Sequence, residues 1–235
     1  MANLGLFVGF GSVFAARIGR AITERFSAAV AGRVIVAAAL ALVVADFLSG
    51  LVHFLCDNFG SPTTPILGQK FIKAFREHHD DPAAMTHGDF VEVNADNLFV
   101  CLPVLLPGVV WLDVSGHLYF AVFLVMLMAF IAVTNEVHKW AHSAPIPPVM
   151  RGLQATRLFL HPRHHQVHHD APHDSNYCIT SGVLNPLLTR VRFWYALQRV
   201  LSGGCRRERP QLHAQEQVGR VGTPERIRSR EGVAG

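Results

Sequence analysis

Residues 34–55 decide the fold, and they read VIVAAALALVVADFLSGLVHFL. A helix over this stretch would be about 33 Å long, which is enough to cross the hydrocarbon core of a bilayer. Its only polar side chains are those of Asp46, Ser49 and His53. Over the whole chain 16% of the residues are charged and the mean hydropathy is +0.28, whereas soluble domains carry roughly 25% charged residues. The sequence therefore predicts an integral membrane protein and excludes a disordered one.

Two further apolar segments follow, at residues 98–112 and 118–137, and a short turn at 113–117 separates them. Together they predict a helical hairpin through the bilayer, with a pair of buried core helices as the alternative. Residues 1–33 form a short apolar or amphipathic N-terminal segment, of which 4–16 could be a short span, a re-entrant piece or an interfacial helix. The predicted fold is all-α, with three to four transmembrane helices.

The formal net charge of +4 is carried by the C-terminal end of the chain, which has eight Arg and four Glu from Arg199 onward. The remaining body is neutral, so a basic nucleic-acid-binding face is not expected. Residues 201–235 lack apolar periodicity and are predicted to be a basic disordered tail. Four widely spaced cysteines predict neither a disulfide framework nor a thiolate zinc site.

Lys and Arg also predict the orientation in the membrane, because cytoplasmic loops carry an excess of both. Basic residues follow the first long span and the last one, and the 113–117 turn has none. Residues 56–97 and 140–235 are therefore expected on the cytoplasmic side. Four arginines near the N-terminus conflict with this assignment: Arg17, Arg20, Arg25 and Arg33.

Fourteen histidines are the outlier of the composition, and most of them lie where the predicted spans meet the polar segments. His138 and His142 are four residues apart, which places both imidazoles on one helical face. The same spacing relates His53 to Asp57, and His165-x-x-His168-His169 adds three- and four-residue spacings. Imidazole suits zinc, copper and iron, and the number of histidines fits two ions better than one four-coordinate zinc. A histidine-rich helical cap that holds two metals on the cytoplasmic face is therefore predicted.

Several chemistries fit such a cap. Histidine-ligated di-iron can activate O2 to break an unactivated C–H bond of a lipid chain, by desaturation or by hydroxylation. A zinc hydrolase would need a general base, for which Glu77 is available. A non-catalytic histidine-rich metal carrier is the remaining alternative. Asp46 lies inside a span, where we expect a structural polar contact rather than catalysis.

Four stretches resemble the motifs of the CarF/Kua lipid desaturase family, in order and with similar gaps. They are VADFLSGLVHFLCDNFGS (44–61), FREHHDDP (75–82), NEVHKWAH (135–142) and HHQVHHDAPHDSNYCITSGVLN (164–185). The resemblance covers about residues 34–200, which we expect to form the desaturase domain. It implies a membrane enzyme, an oxidoreductase, that uses a di-iron centre and O2 to introduce a double bond into a lipid chain.

The same resemblance implies the site residues. The expected metal ligands are His53, His78, His79, His138, His142, His165, His168 and His169. Asp57 is expected to support a ligand from outside the metal coordination. His87 stands one position away from where the ether-lipid branch has a histidine, and His161 falls where no ligand is expected.

The motifs FREHHDDP, HKWAH and APHDSNYCITSG resemble the ether-lipid branch more than the plant acyl-lipid branch. This implies conversion of the 1-O-alkyl chain of an ether phospholipid, plasmanylethanolamine, to the 1-O-alk-1′-enyl vinyl ether of a plasmalogen. Two Fe ions, O2 and an external electron donor of cytochrome b5 or ferredoxin type would be needed. An acyl-lipid desaturase is the alternative. A bacterial inner membrane is the expected location, or the endoplasmic reticulum of a eukaryote, with the site facing the cytoplasm.

Overall fold

The computed structural model describes residues 1–203, which are helical with no strand among them. Four helices are long and apolar enough to span a membrane, as an integral membrane protein requires. In chain order the helices are α1 (Ala2–Glu24), α2 (Ala28–Asn58), α3 (Lys73–Asp80), α4 (Phe90–Trp111), α5 (Leu118–His142), α6 (Pro148–Ala155), α7 (Pro162–His169), α8 (Asn185–Arg190) and α9 (Phe193–Leu201). A π-helical turn at Gly68–Ile72 precedes α3, and a 3-10 turn at Ala84–His87 precedes α4.

The contacts at the helix ends give the directions of the four long helices. Arg33 near the start of α2 stacks on Tyr119 near the start of α5, and the histidines at the other ends of these two helices meet. α2 and α5 therefore run parallel. α1 and α4 run the opposite way, because Arg25 after α1 contacts Ser115 after α4. The start of α1 consequently lies at the same end of the bundle as the histidines.

Small residues let α2 and α5 approach closely. Ala41 and Ala45 of α2 are fully buried, and so is Ala121 of α5. α1 packs on α4 in the same way, since Phe14 is buried close to Gly108. Association of helices in a bilayer depends on this kind of close packing rather than on hydrophobic burial.

Residues 2–24 form one helix, α1, which is long and apolar enough to span a membrane. Arg17 of α1 donates to the carbonyls of Val109 and Leu112 at the end of α4. Arg25, which follows α1, donates to the carbonyl of Ser115 in the turn after α4. The last carbonyls of a helix lack partners within the helix. Arg17 and Arg25 therefore have a structural reason to lie at the end of the bundle where the charge pattern argued against them.

Two helices begin earlier than the predicted spans. α2 begins at Ala28 rather than at residue 34. The Ser27 hydroxyl caps this earlier start by accepting from the Val30 N–H at 3.2 Å. α4 begins at Phe90 rather than at residue 98, with an Asp89–Glu92 capping box. The first turns of α4 are polar because Asn94 bonds to α5, where its Oδ1 accepts from the Glu136 N–H at 3.1 Å. The predicted disordered tail falls outside the described residues from position 204 onward.

Residues 176–182, which we call the strap, are buried beside α2 and form no regular secondary structure. Asp46 of α2 holds its end, since one carboxylate oxygen accepts from the N–H groups of Ser181 and Gly182 at 2.8 Å each. The other oxygen accepts from the Leu184 N–H at 3.1 Å. Irregular backbone at membrane depth is tolerated only where protein groups satisfy it. Asp46 thus makes the structural polar contact that the sequence predicted.

Candidate metal centre

Four helices bring their final turns together at one end of the bundle, and each contributes two or three side chains, all of them imidazoles except for one carboxylate. α2 carries His53 and Asp57, and α3 carries adjacent histidines at 78 and 79. The remaining histidines come from α5 and α7. The three- and four-residue spacings seen in the sequence place these side chains on the inner faces of their helices.

Five of the histidines form the first cluster, in which the ligand atoms all lie within 4.8 Å of one another. Its members are His78, His138, His142, His165 and His169. The Nε2 atoms of His138 and His165 are 2.7 Å apart, and those of His165 and His169 are 3.0 Å apart. The Nε2 atoms of His78 and His142 are 3.1 Å apart.

The second cluster contains three histidines and one carboxylate: His53, Asp57, His79 and His168. The Nε2 atoms of His53 and His168 are 3.0 Å apart. Asp57 Oδ2 lies 3.1 Å from Nε2 of His79 and 3.5 Å from Nε2 of the other two. The two clusters adjoin, because the rings of His79 and His169 are 5.2 Å apart between centroids.

The distances within each cluster fit a metal better than they fit hydrogen bonding. Two ligand atoms held about 2.1 Å from one ion lie about 3 Å apart when their bonds meet at a right angle. A neutral imidazole has one N–H, so Nε2 atoms that meet Nε2 atoms around a closed set cannot all be paired donor to acceptor. The convergence of Nε2 atoms in the first cluster therefore indicates a metal-binding set.

The other ring nitrogens of two ligands are held by backbone carbonyls. His168 Nδ1 donates to the Ser175 carbonyl at 2.7 Å, and His53 Nδ1 donates to the Tyr177 carbonyl at 3.1 Å. A proton on Nδ1 leaves the lone pair on Nε2, which faces the cluster. Partners of this kind fix the tautomer and orientation of a metal-ligating histidine.

Burial lowers the pKa of three imidazoles of the first cluster and keeps them neutral. It lowers the pKa of His78 to about 2 and that of His169 to about 3, and neighbouring imidazoles such as that of His142 lower both further. Burial also holds the pKa of His165 well below its ordinary value. Only neutral imidazole binds a metal, so these groups are ready to bind at neutral pH.

All eight predicted ligands lie in the two clusters, and their role as ligands stays a prediction. Asp57 lies among the ligand atoms of the second cluster, a position that also permits direct ligation. His161 lies outside both clusters and caps α7, where its Nδ1 accepts from the Arg163 N–H at 3.2 Å. His173 approaches the second cluster, with its ring 4.7 Å from that of His79 between centroids.

The carbonyls of Ser175 and Tyr177 are the functional groups that sequence reasoning missed. Every residue has a carbonyl, so no residue type marks one that will face an imidazole. Their position depends on the path of the strap, which has no apolar periodicity for the sequence to reveal.

Comparison with known proteins adds to this geometry. Residues 42–211 match a family model described as the lipid desaturase domain. The chain belongs to this family. The matched range includes every residue of both clusters, so this chain's lipid desaturase domain contains the entire candidate metal centre.

Relatives of this lipid desaturase domain include plasmanylethanolamine desaturase of Myxococcus xanthus, 39% identical over 164 residues, which are 69% of this chain and 58% of that protein. Plasmanylethanolamine desaturase 1 of Mus musculus is 42% identical over 171 residues, with 68% and 62% covered. The chloroplastic fatty acid desaturase 4 of Arabidopsis thaliana is 34% identical over 161 residues, with 67% and 48% covered.

The chain spans about three fifths of the length of the first two relatives. No solved structure gives a significant match. The assignment of the chain to the lipid desaturase family therefore depends on sequence similarity, and both histidine clusters lie within the matched residues.

Proposed function

We propose that this chain is an O2-dependent desaturase that converts the 1-O-alkyl chain of an ether phospholipid, plasmanylethanolamine, to a 1-O-alk-1′-enyl vinyl ether. The observation that carries the proposal is the pair of adjoining clusters, one of five histidines and one of three histidines with Asp57. Each cluster would hold one iron ion. The alternative substrate is the ester-linked acyl chain of a glycerophospholipid.

The reaction balances with O2 as the oxidant. The CH2–CH2 unit at C1 and C2 of the alkyl chain loses two hydrogens and becomes CH=CH. Two further electrons from an external donor and two protons complete the reduction of O2 to two water molecules. When bound, the two irons would supply the redox chemistry that couples these electron transfers.

The protein's part is to hold the ligands and to place the lipid. The Tyr177 and Ser175 carbonyls orient His53 and His168. Burial lowers the pKa of His78, His165 and His169 and keeps these imidazoles neutral. The clusters lie at the ends of α2 and α5, at the depth where a spanning helix leaves the hydrocarbon core. C1 and C2 adjoin the glycerol backbone of the lipid and lie at that same depth, which favours reaction there over reaction in the middle of a chain.

The choice of an ether lipid has support from the relatives. Two that are 39% and 42% identical are named plasmanylethanolamine desaturase, whereas one named fatty acid desaturase 4 is 34% identical. The motif APHDSNYCITSG, which favoured the ether-lipid branch, forms the strap and the segment before it. This segment supplies the carbonyls that hold two of the predicted ligands.

The electron donor and the orientation belong to the same proposal. A donor of cytochrome b5 or ferredoxin type would reach the centre from the cytoplasm. Lys70, Lys73 and Arg76 lie in the segment between α2 and α4, at the histidine end of the bundle, which agrees with that orientation. A bacterial inner membrane is the proposed location, or the endoplasmic reticulum if the host is eukaryotic.

Lipid mass spectrometry tests the reaction. The chain is expressed in cells that lack vinyl ether lipids and that are fed 1-O-alkylglycerol, with His165→Ala as the inactive control. We expect acid-labile alkenyl phospholipids only with the unmodified chain. New double bonds in ester-linked chains instead would assign the acyl-lipid reaction. If folded, iron-loaded protein forms neither product, the proposal of a desaturase is refuted.

A further inference from the structure

An apolar groove of about 660 Å³ lies at the end of the bundle opposite the histidines, between the first turns of α2 and α5. Its volume falls within the range of about 300–1,000 Å³ that is typical of small-molecule sites. Gly32, Ala37 and Leu40 of α2 form one side, and Tyr119 and Phe123 of α5 form the other. The metal centre does not use this groove.

Arg33 lies at the rim of the groove, and its guanidinium stacks on the Tyr119 ring with 5.6 Å to the ring centroid. This contact holds the cation beside the apolar walls. Among residues 1–203 the guanidinium has no carboxylate partner. Arg and Tyr near the ends of spanning helices lie at the level of lipid headgroups.

The groove is far from the metal centre. His53 follows Arg33 by twenty residues along the same helix, which corresponds to about 30 Å at ~1.5 Å per residue. A lipid with its phosphate at Arg33 would therefore belong to the leaflet opposite the one whose headgroups adjoin the histidines. It would not be the lipid that reacts.

We propose that this groove binds one anionic phospholipid, with its phosphate at Arg33 and one chain along Leu40 and Phe123. The inference is independent of the proposed function, since it needs neither metal nor turnover. An apolar wall with a single cation at its headgroup end matches the two parts of a phospholipid. A basic residue close to the membrane surface favours anionic over zwitterionic headgroups.

A second copy of the chain is the competing occupant, because Gly32 and Ala37 would also allow close helix packing. A helix in the groove would cover Arg33 without supplying an anion, and burying an unpaired charge is costly. A phosphate neutralises the same guanidinium. The charge at the rim therefore favours the lipid.

Native mass spectrometry of the full chain in detergent, titrated with phosphatidylglycerol or phosphatidylethanolamine, tests the site. Gly32→Leu fills the groove, and a Cβ at this position meets no atom within 4 Å, so the fold accommodates the change. We expect Gly32→Leu to abolish the tightly bound phosphatidylglycerol. Gly19→Leu on α1 is the matched control, since its Cβ also meets open space and it lies outside the groove.

Arg33→Gln tests the headgroup contact. We expect its Kd for phosphatidylglycerol to rise about fivefold with little change for phosphatidylethanolamine. Binding by Gly32→Leu equal to that of the unmodified chain, or equal loss in Gly19→Leu, would overturn the proposal. A dimer that Gly32→Leu converts to a monomer, with lipid binding unchanged, would assign the groove to a second copy.

Discussion

His53 illustrates how much of the site depends on single atoms from distant parts of the chain. Its Nδ1 bonds to the Tyr177 carbonyl, 124 residues away, and its Nε2 meets Nε2 of His168 at 3.0 Å. The ring is fully buried, so each nitrogen needs one partner in a fixed place. A ligand whose second nitrogen is already bonded keeps its orientation before the metal arrives.

His165 is the predicted ligand whose loss we expect to be most damaging, because its Nε2 is close to those of both His138 and His169. We predict that His165→Ala reduces desaturation by more than about 100-fold, the upper end of what loss of an outer partner costs. The iron-to-protein ratio should fall with it. Metal analysis and the lipid assay on the same preparation measure both.

His161→Ala is the matched control on the same helix. Its ring only caps α7, so we expect a loss in unfolding free energy of at most about 1 kcal/mol, the usual scale of a helix cap, with the metal content unchanged. Equal damage from His161→Ala and His165→Ala would contradict the assignment of ligands.

Asp57→Asn separates two roles for this carboxylate. Asp57 Oδ2 lies within 3.5 Å of three ligand nitrogens, so we expect the neutral amide to lower the iron-to-protein ratio as well as the rate. If Asp57 instead only hydrogen-bonds to a metal ligand, we expect the rate to fall by about 10–100-fold while the iron-to-protein ratio is unchanged. Metal analysis alongside the lipid assay distinguishes these results.

At the scale of elements, the strap connects the membrane bundle to the metal centre. Asp46 and Ser49 of α2 satisfy its backbone N–H groups, and Asn185 Oδ1 accepts from the Cys178 N–H at 2.9 Å. Tyr177 contacts both His168 and Trp194 of α9. A displacement of the strap along α2 would therefore reach the ligands directly.

Gly50→Ala tests this coupling. A Cβ at Gly50 would lie 2.6 Å from Cys178 Sγ and 3.1 Å from the Cys178 backbone nitrogen, so the strap must move away from α2. We expect a loss of about 1–3 kcal/mol in unfolding free energy from overpacking, together with reduced activity. Chemical unfolding in detergent measures the first quantity.

Gly9→Ala of α1 serves as the comparison, because its Cβ would meet no atom within 4 Å. Replacing Gly by Ala within a helix stabilises it by up to about 1 kcal/mol in the absence of a clash. Equal unfolding free energies for Gly50→Ala and Gly9→Ala would contradict close packing of the strap against α2.

The sequence predicted the spans and the shared faces of the histidines, because hydropathy and helical spacing are local properties. The predicted spans 34–55 and 118–137 lie within the helices α2 and α5. The sequence did not predict the start of α4, because its first turns are polar. Asn94 in these turns is buried, and its side chain bonds to the Glu136 N–H of α5. A hydropathy pattern does not contain such a partner.

The same limit applies to the candidate site. Helical spacing predicted that His138 and His142 share one helical face, and the structure places His78 beside them. The division of the nine side chains into two clusters depends on how α3 and α7 dock, which no local pattern specifies. The positions of the Ser175 and Tyr177 carbonyls could not be predicted for the same reason.

At the scale of the whole molecule, the described spans leave both the first residue and residues 143–203 at the histidine end. Only the short segments 25–27 and 112–117 lie at the other end. Nearly all the polar chain that could meet a soluble electron donor is consequently on one side of the membrane. The proposed cytoplasmic orientation follows the Lys and Arg residues on that side.

Cysteine labelling measures this orientation in intact cells. On a Cys205→Ser background the other cysteines are buried. We expect Ser115→Cys to react with a membrane-impermeant maleimide from outside and Thr63→Cys to react only after lysis, since both positions are exposed at opposite ends of the bundle. The reverse pattern would place the histidines outside the cytoplasm.

The ends of the helices have an electrostatic consequence for the proposed metal sites. The side chains of the two clusters come from the last turns of α2, α3, α5 and α7, so the C-terminal turns of four helices lie around one small volume. Each helix macrodipole places about half a negative charge at its C-terminus. Asp57 supplies the one carboxylate of the two clusters. The backbone thus supplies a field that favours two divalent cations at a depth where an unpaired cation would otherwise be costly.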